Sequence, residues 1–346
     1  MNDTNSASIR VIDPMTDPLW NAFIRSHPDA GIFHHPAWLT LLHDQYQFET
    51  FAICLQDGDT IRGGIPFCEV RGPKRLVCLP FADYCGPLGA SPADVQLLMD
   101  HVRSEAMRRG ARIEVRSELR PDCGFASSKA HWLHATNIER EPKGLLKSLK
   151  LRVQRPIKKA QRGGLKTEIR RDVEAMEIFY WLHLKTRKRQ GVPIQPRRYF
   201  TLFHRHIIDQ KLGFISLTGN KTQYMSAGVF CGYKDKIVYK YGASDRACLD
   251  LSPNHLMLWD TMLYAKEQGF VRFDFGKTAS SHSGLRHFKS GWNATESELC
   301  YSYFPIVPSG GLFDVLNRKV VEPVIRHSPP FVCRIAGEAL YKYFAV

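Results

Sequence analysis

The chain has 346 residues, 44% hydrophobic and 24% charged, a composition typical of a globular protein large enough for two hydrophobic cores. No stretch approaches the ~18 consecutive apolar residues that a membrane-spanning helix requires. The nine cysteines are scattered without a Cys-x-x-Cys pair, which argues against a zinc site, and we expect no metal. The first residues lack a charged segment leading into an apolar run, so we expect a cytoplasmic protein with reduced thiols.

The first part of the chain predicts a strand-rich unit that contains one long helix. Ser91 and Pro92 mark the start of this helix and Gly110 marks its end, because these residue types favour those positions. Apolar alternation predicts strands before and after it, at Thr50–Leu55, Ile61–Val70, Arg75–Leu79 and Ala111–Arg116.

The net charge of +14 is concentrated between Lys143 and Lys166, where nine lysines and arginines occur without an acidic residue. Leucines and a valine recur at helical spacing on the opposite side, and Pro156 predicts that the segment is two short helices. A second basic cluster follows at Lys185–Arg198. Such runs are either solvated helix faces or binding surfaces for a polyanion, and the composition alone favours neither. Few aromatic residues are interleaved, so a surface that stacks single-stranded nucleic acid is not indicated.

The second part predicts two helices, three strands, a helix, a strand, a short helix and a final strand. Ser252-Pro253 opens the middle helix and Gly269 closes it, which repeats the punctuation of the first unit. Repetition at this level indicates a duplicated unit. We therefore predict two related α/β domains, residues 1–140 and 141–306. The successive elements are Asp172–Arg189, Tyr199–Lys211, Phe214–Thr218, Tyr224–Cys231, Ile237–Tyr241, Ser252–Gly269, Phe270–Phe275, Gly284–Lys289 and Glu298–Phe304.

Two strands of the second domain end in polar, glycine-containing turns on either side of one helix. These turns are Gly242–Asp245 and Gly276–Thr278, and the pair Phe288-Lys289 follows a Ser/His/Gly loop. In open α/β sheets, small ligands bind at such strand ends. The sequence therefore predicts the functional site in the second domain.

The remaining residues, 307–346, form a predicted tail that begins with a linker at Ser309–Gly311. Val332, Ile335, Leu340 and Tyr343 suggest a helical stripe. We expect this stripe to pack back on the first domain. The alternative is an amphipathic contact with a membrane surface.

The order of elements in the second domain is that of the N-acyltransferase (GNAT) fold, and the chain resembles the FemAB-like family. The fold expected from this resemblance is α/β, with two tandem GNAT-like (acyl-CoA N-acyltransferase) domains and mixed central sheets. The similarity extends over about residues 30–305. The segments that carry it are Phe33–Trp38, Arg152–Ala160, Arg187–Gly191, Tyr239–Ser244, Pro253-Asn254, Asp274–Gly276 and Phe288-Lys289.

The resemblance implies an N-acyltransferase or aminoacyltransferase that moves an activated acyl group onto an amine of a cell-envelope precursor. The precursor would be a peptidoglycan, exopolysaccharide or lipid-linked one, handled in the cytoplasm or at the inner face of the membrane. Acyl-CoA or aminoacyl-tRNA would serve as co-substrate, with no permanently bound cofactor and no DNA partner. The alternative is a non-catalytic basic module that binds a nucleotide-linked sugar, RNA or an anionic lipid headgroup.

The family's Phe-Lys pair lies at the reacting centre, which implies a catalytic role for Lys289. A cation there can stabilise the oxyanion of acyl transfer, and Asp274, Asp245 or His282 could accept the amine proton. The competing interpretation of Lys289 is a surface lysine at a helix C-terminus, and in the catalytic case its loss should leave stability nearly unchanged. The expected substrate-binding residues are Trp38, Tyr84, Arg152, Lys158, Arg189, Arg197, Tyr241, Ser244 and Phe288.

Two features of related enzymes are absent from the sequence. The Arg/Gln-x-x-Gly-x-Gly/Ala loop that binds the pyrophosphate of acetyl-CoA does not precede the Ser252 helix, which weakens acetyl-CoA as the donor. The segment Leu165–Lys211 is too short for the long helical arm of some tRNA-using relatives.

Overall fold

A computed structural model of the protein describes residues 7–70, 74–308 and 320–345. The described residues divide into two compact units. The first lies within Met1–Ala130 and Leu299–Ser309, with the last two residues of the chain, and the second lies within His131–Glu298 and Gly310–Phe344. The boundary thus falls ten residues before the one expected from sequence, and the chain re-enters the first unit after completing most of the second. The linker predicted at Ser309–Gly311 lies outside the described residues.

The first unit is a strand-rich sheet with three α-helices among its described residues. Its strands follow the order β1-β2-β3-β4-β6 and then the C-terminal half of β13, and β5 pairs with β3. The helices are α1 (Pro18–Ser26), α2 (Pro36–Tyr46) and α3 (Pro92–Arg109). The strands are β1 (Ser8–Ile12), β2 (Glu49–Asp57), β3 (Thr60–Val70), β4 (Arg75–Val77), β5 (Leu88–Gly89), β6 (Arg112–Val115) and β13 (Thr295–Phe304), while β7 (Ala126–Asn137) leads into the second unit.

The second unit orders its strands β7-β12-β11-β10-β9-β8. Its strands are β8 (Lys166–Arg170), β9 (Gly213–Gly219), β10 (Tyr224–Tyr233), β11 (Lys236–Ser244) and β12 (Arg272–Ala279). Its helices are α4 (Pro142–Ser148), α5 (Leu151–Arg162), α6 (Val173–Gln190), α7 (Arg197–Phe203), α8 (Pro253–Glu267), α9 (Ser283–Lys289), α10 (Glu322–His327) and α11 (Pro330–Leu340). Within these described parts, no helix has the length and apolar character needed to span a membrane.

Both units share one internal plan. Each has an antiparallel run of three strands, then a helix, then a strand that pairs in parallel with the third strand of the run. In the first unit Arg75–Val77 pairs with Arg112–Glu114, and in the second Lys236–Val238 pairs with Arg272–Asp274. Each parallel ladder is three residues long. The repeat predicted from the helix punctuation is therefore present in the strand pairing as well.

The helix that follows the three strands begins differently in the two repeats. The Ser91 side chain accepts the Asp94 N–H at the start of α3, and Gly110 takes the left-handed conformation at its end, as predicted. Ser252 instead has a φ of 62° and makes no side-chain cap hydrogen bond to α8. A 3-10 helix, Arg246–Leu251, precedes it and sets this backbone direction. The prediction of a Ser252 side-chain cap was therefore wrong.

The basic segment forms two helices, but the break does not lie at Pro156. It falls between Ser148 and Leu151, and Pro156 lies inside α5. Loss of its N–H removes one hydrogen bond in the first half of the helix. Burial of Val153, Ile157 and Ala160 on the opposite face offsets that loss.

The C-terminal segment packs within the second unit, against α6, and not on the first unit as expected. The buried positions of α11 are Cys333 and Gly337, while Ile335 points outward. A Cβ atom built on Gly337 would overlap the carbonyl oxygen of Ile194, so the helix approaches this loop through small residues. Because α11 lies so close to the Ile194 loop, its small residues Cys333 and Gly337 face that loop, and the larger residues of the predicted stripe do not.

We predict that Gly337→Ala lowers the free energy of unfolding by about 1–3 kcal/mol, because the new methyl group must displace the Ile194 backbone. Gly144→Ala on α4 is the matched control, since its Cβ would meet no atom within 4 Å. That change should be neutral or stabilising by about 0.5–1 kcal/mol. Thermal or denaturant unfolding of both variants measures the difference, and equal effects would contradict the packing described.

Candidate functional site

A buried lysine is tied to a bulge in β12. Lys289 at the end of α9 is 4% exposed, and its Nζ donates to the carbonyl oxygens of Gly276 at 2.7 Å and Lys277 at 3.3 Å. Asp274, also 4% exposed, accepts the Gly276 N–H on Oδ1 at 2.7 Å. Gly276 has a φ of 69°, a conformation that glycine adopts without strain. The interpretation of Lys289 as a surface lysine is therefore wrong, and both predicted catalytic residues meet at one backbone turn.

This turn lies where β11 and β12 stop pairing. The parallel ladder ends at the pair Val238 and Asp274, yet β11 continues to Ser244 and β12 to Ala279. On its other side, β12 pairs with β7, and that register shifts between Asp274 and Lys277. The two strands therefore part at Asp274. A gap between neighbouring strand ends is a place where an extended ligand can contact backbone groups.

Strand β7 presents an alternating row of side chains to the segment that contains α9 and the start of β13. Arg286 lies over the Trp132 ring, with 4.2 Å from its Cζ to the ring centroid. His134 Nε2 lies 2.8 Å from Glu296 Oε2. Thr136 Oγ1 donates to the Asn293 carbonyl at 3.2 Å. The period of two follows from the pleat of the strand, which directs every second side chain to one face.

Glu296 joins the two basic side chains of this row. Its carboxylate accepts hydrogen bonds from Arg286 at 2.9 and 2.5 Å as well as contacting His134. The hydrogen bonds from Arg286 hold the pKa of Glu296 below its usual value, and the contact with His134 adds to this effect. Burial lowers the pKa of His134, and the nearby Lys289 charge lowers it further. His134 is therefore neutral near pH 7, and its buried Nδ1 has no hydrogen-bond partner within the described residues.

None of Trp132, His134, Arg286 and Glu296 was predicted as a site residue. The signal was present as the alternation of Trp132, His134 and Thr136 in a strand that mixes polar and apolar residues. Because the contacting residues lie about 150 positions later in the chain, sequence spacing alone could not connect them.

Phe288 and Arg152 support α9. Phe288 packs between His255 and Trp292, with ring centroids at 5.2 and 6.0 Å. Arg152 on α5 donates from one guanidinium nitrogen to the His287 carbonyl and to Ser290 Oγ, both at 2.8 Å. These contacts fix the helix that carries Lys289, so both residues position the site even before any ligand is considered.

A second group lies where the end of β11 meets α6. Tyr241 is surrounded by aromatic residues of α6 and α7, and its hydroxyl lies 2.8 Å from that of Tyr199. Ser244 is buried, and its backbone N–H donates to Thr186 Oγ1 at 3.0 Å. Arg189 donates to the Ser244 carbonyl at 3.3 Å. Substrate contact through the Ser244 side chain is therefore not favoured, because the residue joins β11 to α6.

The remaining predicted residues are dispersed. Arg197 opens α7 and forms an ion pair with Glu177 at 2.7 Å. In the first unit, Trp38 is fully buried against Phe33, with ring centroids 4.9 Å apart. Trp38 is thus packed in the core, which does not favour the predicted contact with substrate. Tyr84 is half-buried against the same phenylalanine at 5.3 Å.

Lys158 belongs to a row of cations on the outer face of α5, formed by Arg155, Lys158, Lys159 and Arg162. All four are exposed and none has an ion-pair partner in the part of the chain that the structure describes. Like charges three and four positions apart destabilise a helix by about 0.2–0.5 kcal/mol per pair. We call these four residues the α5 cation row. Their mutual repulsion slightly destabilises the helix.

Comparison with known proteins identifies a domain that includes Asp274 and Lys289. Residues 147–290 match the family model described as an acetyltransferase (GNAT) domain. Relatives named lipid II:glycine glycyltransferase, from Staphylococcus epidermidis and Staphylococcus aureus, are 38% identical over 81 residues. That region is 22% of this chain and 20% and 19% of the respective relatives, so the chain matches about a fifth of their length.

Solved structures agree over a larger part of the chain. FemX superposes with a TM-score of 0.67 at 18% identity, over 82% of this chain and 94% of that one. L-PGS from Bacillus licheniformis gives 0.56 at 14%, covering 91% and 98%. A tandem GNAT protein from the clavulanic acid biosynthesis pathway gives 0.54 at 9%, covering 88% and 100%. The fold is two tandem GNAT-like domains with mixed sheets, as the sequence predicted.

We predict that Glu296→Gln lowers stability near neutral pH and that the difference from the wild type shrinks in acid. The folded-state pKa of Glu296 lies below 4.5, so the ionised carboxylate stabilises the fold above pH 4.5. This contribution disappears as the pH falls through the folded-state pKa. Denaturant unfolding between pH 7 and pH 3 measures both proteins, and a difference independent of pH would contradict the ion-pair role.

Proposed function

We propose that this FemAB-like chain is an N-acyltransferase or aminoacyltransferase that moves an activated acyl group onto an amine of a cell-envelope precursor. The second unit carries the site, at the turn formed by Asp274, Gly276 and Lys289. The observation on which the proposal depends is that β11 and β12 part beside these residues, within a domain that matches the GNAT acetyltransferase model.

The chemistry needs charge stabilisation more than a nucleophilic side chain. The amine nitrogen attacks the carbonyl carbon of an ester or thioester, and the carbonyl oxygen becomes an oxyanion. The C–O or C–S bond then breaks, and the leaving hydroxyl or thiol receives the proton that the nitrogen loses. In our proposal the Lys289 ammonium stabilises the oxyanion, because a fixed charge in a water-poor site acts strongly on developing charge.

Proton transfer is assigned to Asp274, whose carboxylate lies at the same turn. Asp274 Oδ1 accepts a hydrogen bond from the Gly276 N–H, and this bond fixes the orientation of the carboxylate that would accept the amine proton. Asp245 is less suited, because it forms an ion pair with Lys185 at 2.8 Å, and His282 is exposed in the loop before α9.

The donor is acyl-CoA or aminoacyl-tRNA, and each is a polyanion. The α5 cation row supports either, because it offers closely spaced positive charges that have no ion-pair partner among the described residues, in the same unit as the site. The acceptor is proposed to be lipid-linked or otherwise anionic, used in the cytoplasm or at the inner face of the membrane. The names of the staphylococcal relatives, which specify lipid II and glycine, support this class of acceptor.

The competing function is a non-catalytic module that binds a polyanion through the same cation row. The two functions differ in their products. We would screen acyl-CoAs and charged tRNAs against total envelope precursors, measuring free thiol and deacylated tRNA. Amine-dependent release supports the enzyme, whereas salt-sensitive retention without release supports the binding module.

We predict that Lys289→Met lowers kcat/KM by ~10²-fold, about 2.7 kcal/mol, in whichever acyl-transfer reaction the screen identifies. Methionine keeps the volume but removes the charge, and Lys289→Arg should restore only part of the activity. Because Lys289 is buried and hydrogen-bonded, its stability must be measured in parallel, and the earlier expectation of unchanged stability no longer holds. Near-wild-type turnover by a folded Lys289→Met variant would remove Lys289 from the mechanism.

We predict that replacing Lys158 and Lys159 by glutamine mainly raises KM for the anionic donor, with little change in kcat. The effect should weaken as salt is added, because exposed charges are screened. The control replaces Lys211 and Lys221 by glutamine, since both are exposed lysines of the same unit outside α5. Equal KM changes in the two double variants would count against the cation row as the donor site.

A further inference from the structure

The outer face of the C-terminal helices exposes large apolar side chains. Val324 on α10 is 49% exposed, and Phe331 and Ile335 on α11 are 54% and 58% exposed. Phe331 and Ile335 lie four residues apart and so share one side of the helix. Val320 and Tyr343, at either end of the segment, are each 52% exposed. We call these five residues the outer apolar face.

The inner side of the same helices is already in use. Ile325 and Cys333 are buried, and Gly337 lies against the Ile194 carbonyl. Glu322 lies against Gly191, the residue that ends α6. The helices therefore pack on α6 through their inner side. The outer apolar face is not needed for packing within the unit.

Basic residues lie next to members of the outer apolar face along the chain. Arg326, Arg334 and Lys342 belong to the segment itself, and Arg197 and Arg198 open the adjoining helix α7. Within the described residues, Arg334 and Arg198 have no carboxylate partner. The two carboxylates of the described segment are both engaged: Glu322 with Arg326, and Glu338 with the Arg197 backbone N–H.

We propose that the outer apolar face docks on an anionic lipid surface, with Phe331 and Ile335 entering the interface and the surrounding cations contacting headgroups. Apolar and aromatic residues flanked by arginine and lysine characterise helices that lie in the membrane interface. The positive surroundings favour an anionic bilayer over an uncharged partner surface. This association goes beyond the proposed acyl transfer and does not depend on it.

The first test is sedimentation of the full chain with vesicles of phosphatidylglycerol and phosphatidylcholine. We expect binding that falls about tenfold or more in the double variant Phe331→Ser/Ile335→Ser. The control is Leu97→Ser/Met107→Ser on α3, which removes apolar residues of similar exposure, 50% and 59%, from the first unit. Arg334→Glu should weaken binding to the anionic vesicles and leave any binding to pure phosphatidylcholine unchanged.

The second test reports depth in the bilayer. All nine native cysteines are buried, so a single exposed cysteine introduced as Ile335→Cys can be labelled selectively with an environment-sensitive dye. Anionic vesicles should shift its emission to shorter wavelength, and a dye on Met107→Cys should not respond. Binding that the serine variants leave intact would overturn the proposal, because the α5 cation row would then account for it. Wild-type protein that ignores vesicles, or a face that instead mediates dimerisation in solution, would overturn it as well.

Discussion

The candidate site depends on a buried positive charge. Lys289 places an ammonium group among backbone carbonyls with 4% exposure, and removing such a charge from water is costly unless its surroundings compensate. The compensation is the bulge of β12: Gly276 takes a positive φ, its carbonyl accepts from Lys289, and its N–H donates to Asp274. The parting of β11 and β12, the orientation of Asp274 and the position of α9 all meet at this arrangement. Two further contacts fix α9: Phe288 packs on Trp292, and Arg152 donates to the His287 carbonyl.

The first unit has a carboxylate at the position that corresponds to Asp274, but no site is proposed there. Glu114 occupies the third residue of its parallel ladder, as Asp274 does in the second unit, and both are 4% exposed. Glu114 is held by Arg75 at 2.6 Å and by Arg116 at 3.1 Å, and Arg116 also donates to the Ala82 carbonyl. The two guanidinium groups each carry several donors, and together they occupy both oxygens of the Glu114 carboxylate. In the second unit the nearby cation is Lys289, which comes from a separate short helix and donates to the carbonyl oxygens of the turn beside Asp274. This difference supports locating the chemistry there.

Elements with strong local signals could be predicted from the sequence. The bounds of α3 and α6 follow from Ser91, Gly110, Asp172 and Gly191, whose side chains or backbone conformations act within one turn. The importance of Asp274 and Lys289 was also predicted, but through a resemblance, and their burial was not. What sequence could not provide were contacts between distant segments, such as His134 with Glu296. The C-terminal helices were misplaced for a related reason: the identity of their buried face depends on how closely Gly337 can approach Ile194, which helical periodicity does not encode.

The position of β13 in the chain determines when the first unit can finish folding during synthesis. Ser302–Phe304 pairs with Ile113–Val115 and so supplies a strand to the first unit, although it follows nearly the whole second unit along the chain. A ribosome must therefore synthesise most of the polypeptide before the N-terminal sheet can be completed, in contrast to the usual order in which an N-terminal domain finishes first. Until then β6 is an incomplete edge that a strand of another nascent chain could occupy. A cut after residue 130 would likewise fail to separate the units into two whole proteins, because the N-terminal fragment would lack its last strand. The two units thus repeat one plan, but the first cannot be completed until the second has been synthesised.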